Sequence, residues 1–121
     1  MTISIITVCY NSVDTIEDTI KSVISQTVFD KIEYIIIDGA SDDGTLDILN
    51  KYKKYFKLIS QKDDGIYDAM NKGIELSNGN TIGFINSDDF YIDNNIIENI
   101  LNKFKSNNIL EGIYCDLFYV S

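Results

Sequence analysis

Asn86-Ser87-Asp88-Asp89 sets two adjacent carboxylates directly after an apolar run, Thr81-Ile82-Gly83-Phe84-Ile85, that reads as a buried strand. Like charges that close repel each other, and desolvation disfavours both ionised forms. A divalent cation offsets that cost most simply, and oxygen-only ligands favour magnesium or manganese. A solvated acidic turn capping the next helix is the other reading of the same four residues. The chain contains no His. Histidine bases, Ser-His nucleophile pairs and histidine metal ligands are therefore excluded, and the chemistry rests on Asp, Glu, Lys, Tyr or backbone groups.

These residues need elements to position them, and the pattern alternates strand and helix. Ile3-Ser4-Ile5-Ile6-Thr7-Val8-Cys9 is β-branched and mostly apolar, as in a central strand. Asn11-Ser12 offers an N-cap for a helix with Ile16, Ile20, Val23 and Ile24 on one face. Glu33 to Asp38 reads as a second strand, followed by a turn-rich loop from Gly39 to Gly44. Thr45 is placed to cap a helix facing inward through Ile48, Tyr52, Tyr55 and Phe56. Phe56 to Ser60 reads as a short third strand. Ile66, Ala69, Met70, Gly73 and Ile74 then fit helical spacing up to a Ser77-Asn78-Gly79 stop. Asn80 to Ile85 is the fourth strand. Asp93 starts a helix with Ile96, Ile97, Ile100, Leu101 and Phe104 inward, and Ile113 to Tyr119 reads as a fifth strand.

Strands separated by helices imply parallel pairing and right-handed crossovers. Ligands of such sheets bind at the carboxyl ends of the strands. The polar clusters fall there: Tyr10-Asn11, Asp38 to Asp43, Asp63-Asp64 and Asp88-Asp89. The expected fold is α/β, a mainly parallel sheet with helices on both faces.

Composition bounds the partners. The 121 residues suffice for one small domain with a core, and the apolar and charged fractions of 45% and 24% are those of a globular protein. A net charge of −9 argues against nucleic acid as a partner, because a phosphate backbone calls for clustered Lys and Arg. Cys9 and Cys115 match no zinc or redox spacing and read as buried free thiols in a reducing compartment, with a disulfide as the alternative. No apolar run reaches the length of a membrane span, and the first residues lack a signal-peptide pattern. The expected location is cytoplasmic, with contact at the inner face of the membrane and homo-oligomerisation left open.

Four segments together resemble the family 2 glycosyltransferases of GT-A fold. These are Thr7-Val8-Cys9-Tyr10-Asn11, Ile36 to Thr45 with Asp38-Gly39-Ala40-Ser41-Asp42-Asp43-Gly44, Asp64 to Gly73, and Gly83-Phe84-Ile85-Asn86-Ser87-Asp88-Asp89. They occur in the family's order over almost the whole chain. The resemblance implies a Rossmann-like nucleotide-binding core and transfer of a hexosyl group, with inversion, from a nucleoside-diphosphate sugar. UDP is the expected nucleotide. The implied acceptor is a saccharide or a lipid-linked acceptor in polysaccharide or cell-envelope glycan synthesis.

The same resemblance implies the site. Thr7, Cys9, Tyr10 and Asn11 would line the base and ribose pocket. Asp38 would accept a hydrogen bond from the base imide. Gly65, Asp68 and Asn71 would flank the nucleotide, and Ser87 would lie with them. Asp88 would hold the ribose or assist the metal, and Asp89 would ligate the Mn2+ or Mg2+ that bridges the diphosphate. Two positions depart from the family pattern: Gly39 stands where a second acidic residue is frequent, and Asn86 opens the "DXD"-like segment.

The resemblance covers the donor-binding part, so residues 1–121 are expected to form a single nucleotide-sugar-binding domain, shortened before the acceptor-binding half. No residue is identified as the general base. A catalytically inactive nucleotide-sugar-binding module is the alternative. A phosphoacceptor receiver domain would need acidic residues where Tyr10-Asn11 stands, and an EF-hand loop would need an Asp-x-Asp/Asn-x-Asp/Asn-Gly run that is absent.

Overall fold

Among the described residues, four strands form one parallel sheet. The computed structural model describes residues 2–106. Strand β1 (Ile3–Cys9) pairs with β2 (Ile32–Asp38), and β2 pairs with β3 (Lys57–Ser60). On its other side β1 pairs with β4 (Thr81–Phe84). The register sets Cys9 opposite Asp38 and Asp38 opposite Ser60, so the carboxyl ends of three strands finish level. The fifth strand expected at Ile113 to Tyr119, Cys115 and the Phe104 side chain lie outside the described residues.

Alternation along the strands builds two cores. One face carries Ile3, Ile5, Cys9, Tyr34 and Ile36. It is covered by α1 (Ile16–Ile24), α2 (Thr45–Tyr52) and α4 (Ile96–Ser106) through Ile16, Ile20, Val23, Leu49, Ile97, Ile100 and Leu101. The other face carries Ile6, Ile35 and Ile37 against Ala69 of α3 (Ile66–Leu76). Helices on both faces are what buries a fully parallel sheet.

Helix α3 departs from the expected pattern. Ile66 and Ile74 are 55% and 42% exposed, whereas Ala69 and Gly73 are buried. A Cβ on Gly73 would lie 2.6 Å from Ile6 Cγ2. The helix therefore approaches the sheet along its small residues, and that tight approach turns the larger apolar side chains aside. Two expected caps also differ. Helix α1 begins at Ile16, after a turn in which Thr15 and Ile16 donate their N–H groups to the Ser12 carbonyl. At α2, Gly44 takes the cap position with φ 105°, and the Asp43 carboxylate accepts the Thr45 N–H at 3.0 Å. Among the described residues no helix is long and apolar enough to cross a membrane.

Candidate functional site

The loops after β1 and β2 are latched together by side chains. Asn11 has a left-handed backbone (φ 48°), a conformation that asparagine tolerates well. Its N–H donates to Ser41 Oγ at 2.8 Å, and its own Oδ1 accepts the Asp42 N–H at 2.9 Å. Ser12 N–H donates to Thr45 Oγ1, and Val13 N–H donates to Asp43 Oδ2. Hydrogen bonds hold the Asp43 carboxyl below the usual carboxylate range, the Thr45 hydroxyl contributing most. The acidic segment is tied to the same frame. Ser12 and Ser87 share a hydroxyl hydrogen bond of 2.9 Å, and the Thr19 hydroxyl of α1 donates to the carbonyls of Ser87 and Asp89.

The chain reverses direction across the sheet between β1 and β4, because β2 and β3 lie to one side of β1 and β4 to the other. Open parallel sheets bind ligands in the crevice at such a point. A cleft of about 470 Å³ lies there. Asn11, Ser12, Asp14 and Thr15 line it from the β1 side, Asn86, Ser87 and Asp88 from the β4 side, with Val8 and Ile66 between. The lining holds two carboxylates, amides and hydroxyls, and no Lys or Arg.

The expected site residues divide into three groups. Asn11, Ser87 and Asp88 line the main cleft, while Cys9, Tyr10 and Gly65 line the pockets beside it. Gly65 has φ 119°, and no neighbouring atom lies within 4 Å of where a Cβ would stand, so backbone conformation rather than crowding calls for glycine there. Thr7, Cys9 and Asp38 are turned inward. Thr7 is fully buried and its hydroxyl meets the Tyr34 hydroxyl at 2.8 Å. Cys9 is 2% exposed and donates its S–H to Asp38; burial, then the Asp38 charge, pushes its thiol pKa up. Asp38 is fully buried. It accepts the Ser41 N–H (3.0 Å), the Ser41 and Ser60 hydroxyls and the Cys9 thiol. Asp38, expected to face the base, is enclosed by these bonds, and strand alternation turns Thr7 toward the α1–α2–α4 layer; Cys9 shares that side and also lines one of the pockets beside the cleft. Odd-numbered residues of β1 face the α1–α2–α4 layer, and Val8 faces the cleft instead.

Asp68 and Asn71 line neither the cleft nor the adjoining pockets. Asp68 accepts the Asp64 N–H at 3.0 Å and pairs with Lys72 at 3.2 Å, and these contacts, the backbone one first, lower its carboxyl pKa. Asp68 thus ties the loop before α3 to the first turn of the helix, and Asn71 is exposed further along it. Asp14 and Thr15 line the cleft without having been singled out by the sequence, and Val8 and Ile66 line it from within two of the family-like segments. Strand alternation was the available signal for Val8; the other three depend on how the starts of α1 and α3 pack.

The acidic pair splits at the turn. Asp88 lines the cleft. Asp89 is 3% exposed, and its Oδ2 accepts from Asn86 Nδ2 at 3.3 Å. Among the described residues no group of three or more Asp, Glu or Cys side chains converges as a protein-only metal cage. Magnesium-like ions seldom use such a cage; one or two carboxylates together with substrate phosphates suffice. The oxygen-rich, lysine-free wall fits a hard cation of that kind.

The model of Glycosyl transferase family 2 matches residues 4–114. The chain belongs to this family. Among the relatives of this family 2 chain, the cholesterol galactosyltransferase of Borreliella burgdorferi is 33% identical over 98% of the chain and 33% of its own length. The Escherichia coli UDP-Glc:alpha-D-GlcNAc-diphosphoundecaprenol beta-1,3-glucosyltransferase WfaP is 39% identical over 81% of the chain and 39% of its own length. The chain thus spans about a third of the length of the cholesterol galactosyltransferase. Among solved structures, S. aureus TarS in complex with UDP-GlcNAc superposes with a TM-score of 0.82 at 24% identity, over 89% of this chain and 32% of TarS. The mannosyltransferase PcManGT from Pyrobaculum calidifontis, in complex with GDP-Man and Mn2+, gives 0.78 at 20% identity, over 84% and 32%. At such identities the likeness establishes the fold, that of the GT-A glycosyltransferases.

Proposed function

We propose that this family 2 chain binds the donor of an inverting, metal-dependent hexosyl transfer. The donor is a nucleoside-diphosphate sugar, UDP foremost, and the acceptor is a saccharide or lipid-linked acceptor of polysaccharide or cell-envelope glycan synthesis. One observation carries the reading: the switch-point cleft is walled by Asp14, Asp88, amides and hydroxyls, with no cationic side chain. In a chain of net charge −9, such a wall repels a bare diphosphate and accepts one that arrives with a divalent cation. That the named relatives transfer sugars, and that PcManGT is seen with Mn2+, supports the same reading.

Asp88 and Asp89 are the proposed protein ligands of Mn2+ or Mg2+. A bound cation supplies neutralisation of the charge that develops on the departing nucleoside diphosphate. The chain's own residues orient the donor. Asn11 and Ser12 present amide and hydroxyl groups on one wall, Asn86 and Ser87 on the other, and the Ser12–Ser87 hydrogen bond fixes their spacing. Val8 and Ile66 add apolar surface to the cleft lining.

Calorimetric titration of UDP with and without Mn2+, on the parent chain and on Asp89→Asn, tests this. Asp89→Asn keeps the side-chain shape and removes the charge. The expected result is manganese-dependent binding that weakens in the variant on the order of a hundredfold, at least the loss typical of disturbing a metal ligand's partners. Equal affinity with and without metal, unaffected by the substitution, would sink the assignment. Binding without any consumption of a UDP-sugar identifies a binding module rather than a transferase.

A further inference from the structure

Beside the main cleft lies a second pocket of about 330 Å³, lined by Tyr10, Gly39, Ala40, Lys62, Asp63 and Gly65. A third, of about 350 Å³, shares Tyr10, Asp63 and Gly65 with it and shares Val8, Ile66 and Ser87 with the main cleft. The shared linings join all three into one trough along the carboxyl edge, from Asp88 at one end to Gly39 and Asp63 at the other. A nucleoside diphosphate held at Asp88 would have room to extend its base toward that far end.

Gly39 has no backbone reason to be glycine, since only Gly44 and Gly65 among the glycines of the described residues have positive φ. Its reason is space. A Cβ at position 39 would stand 3.2 Å from Asp63 Oδ2 and 3.3 Å from Tyr10 Cδ1. Any side chain there would push on both. The Asp63 carboxylate thus occupies the ground that a residue 39 side chain would take, and Asp38 beside it is sealed within its own hydrogen bonds. Asp63 Oδ1 accepts the Gly65 N–H at 3.1 Å, which fixes the carboxylate and leaves Oδ2 turned toward Gly39. Tyr10, 62% exposed, offers an aromatic ring at the same place.

We propose that Asp63 is the base-reading residue, its Oδ2 accepting the imide N–H of a uracil seated against Tyr10. The inference rests on the nucleotide-sugar reading above and sharpens it to a residue and a base. The carboxylate oxygen that does not bond Gly65 matches the single imide N–H of uracil. Cytosine presents an unprotonated nitrogen at the same ring position, and its lone pair faces the carboxylate unfavourably.

The test compares UDP with N3-methyl-UDP, which lacks the imide proton, by calorimetry with Mn2+ on the full chain. The parent is expected to prefer UDP by about tenfold to a hundredfold, as for one hydrogen bond to a charged acceptor. Asp63→Ala is expected to bind the two ligands equally. Gly39→Ala, which keeps the carboxylate and crowds it, is expected to lose most of the preference while still binding the diphosphate. A parent that does not distinguish the ligands, or an Asp63→Ala variant that still does, overturns the proposal and leaves the nucleotide site standing. Absence of any nucleoside-diphosphate binding by the parent overturns the nucleotide reading itself.

Discussion

Asp38 holds two serines and a cysteine in place, and its four hydrogen bonds all come from inside the chain. Removing it would strand buried donors. Asp38→Ala is therefore expected to cost about 3 kcal/mol, or roughly 10 °C in Tm, measured by thermal unfolding. UDP affinity measured well below that Tm is expected to change little. The opposite pattern, lost affinity at unchanged Tm, would restore Asp38 to the base-reading role. Tyr34 belongs to the same layer. Burial raises its phenol pKa, and its hydroxyl pairs with Thr7 in the core. Tyr34→Phe removes that bond and is expected to lower stability by about 1 kcal/mol, read from urea unfolding. Both residues are typed like functional groups in sequence, and both are placed by the alternation of their strands.

At the scale of elements, α3 decides the shape of the trough. Its start at Gly65 and Ile66 borders all three pockets, and Gly73 presses it onto Ile6. Helix propensity alone predicts that Gly73→Ala adds stability of about 1 kcal/mol. Packing predicts the reverse, because a contact of 2.6 Å with Ile6 Cγ2, itself fully buried, forces backbone or rotamer shifts. The expected net change is a loss of about 1–2 kcal/mol by thermal unfolding, with overpacking exceeding propensity. A rise in Tm would show that the helix lifts off freely. The apolar spacing of Ile66, Ala69, Met70, Gly73 and Ile74 announced the helix correctly. It did not say which of them touch the sheet, since two glycine- and alanine-sized contacts bring the backbone closer than isoleucines permit.

Across the whole molecule, the edge of the sheet opposite the cleft carries an acid-sensitive tie. Glu33 accepts from Ser4, the Asn78 N–H and side chain, and Lys57, joining β1, β2, β3 and the turn before β4. Its partial burial works against the charge, but Lys57 and the Asn78 and Ser4 donors outweigh that and bring its pKa down to about 2. A carboxylate with a lowered folded-state pKa stabilises above its unfolded value, near 4.3, and loses that contribution as pH falls toward the folded value. Tm is therefore expected to fall between about pH 4.5 and 2, and Glu33→Gln is expected to flatten the part of this decline due to the tie. An unchanged profile in the variant would assign the acid sensitivity to other carboxylates.

The sequence by itself determined the alternation of strands and helices, the two-sided burial of a parallel sheet, and the family. Those follow from local periodicity and from short motifs whose residues are contiguous. It also marked the carboxyl edge as the functional one, because Tyr10-Asn11, the loop after Asp38, Asp63 and Asp88 all stand where strands end. Tertiary structure alone decided which polar residues face the trough. Asp38 and Asp88 are both acidic residues near strand ends, yet one is sealed by Ser41, Ser60 and Cys9 while the other lines the cleft. Asp63 gains its place only because Gly39, distant in the chain, leaves the space beside Tyr10. Direction and neighbours across the sheet are set by packing between segments, and no single segment encodes them.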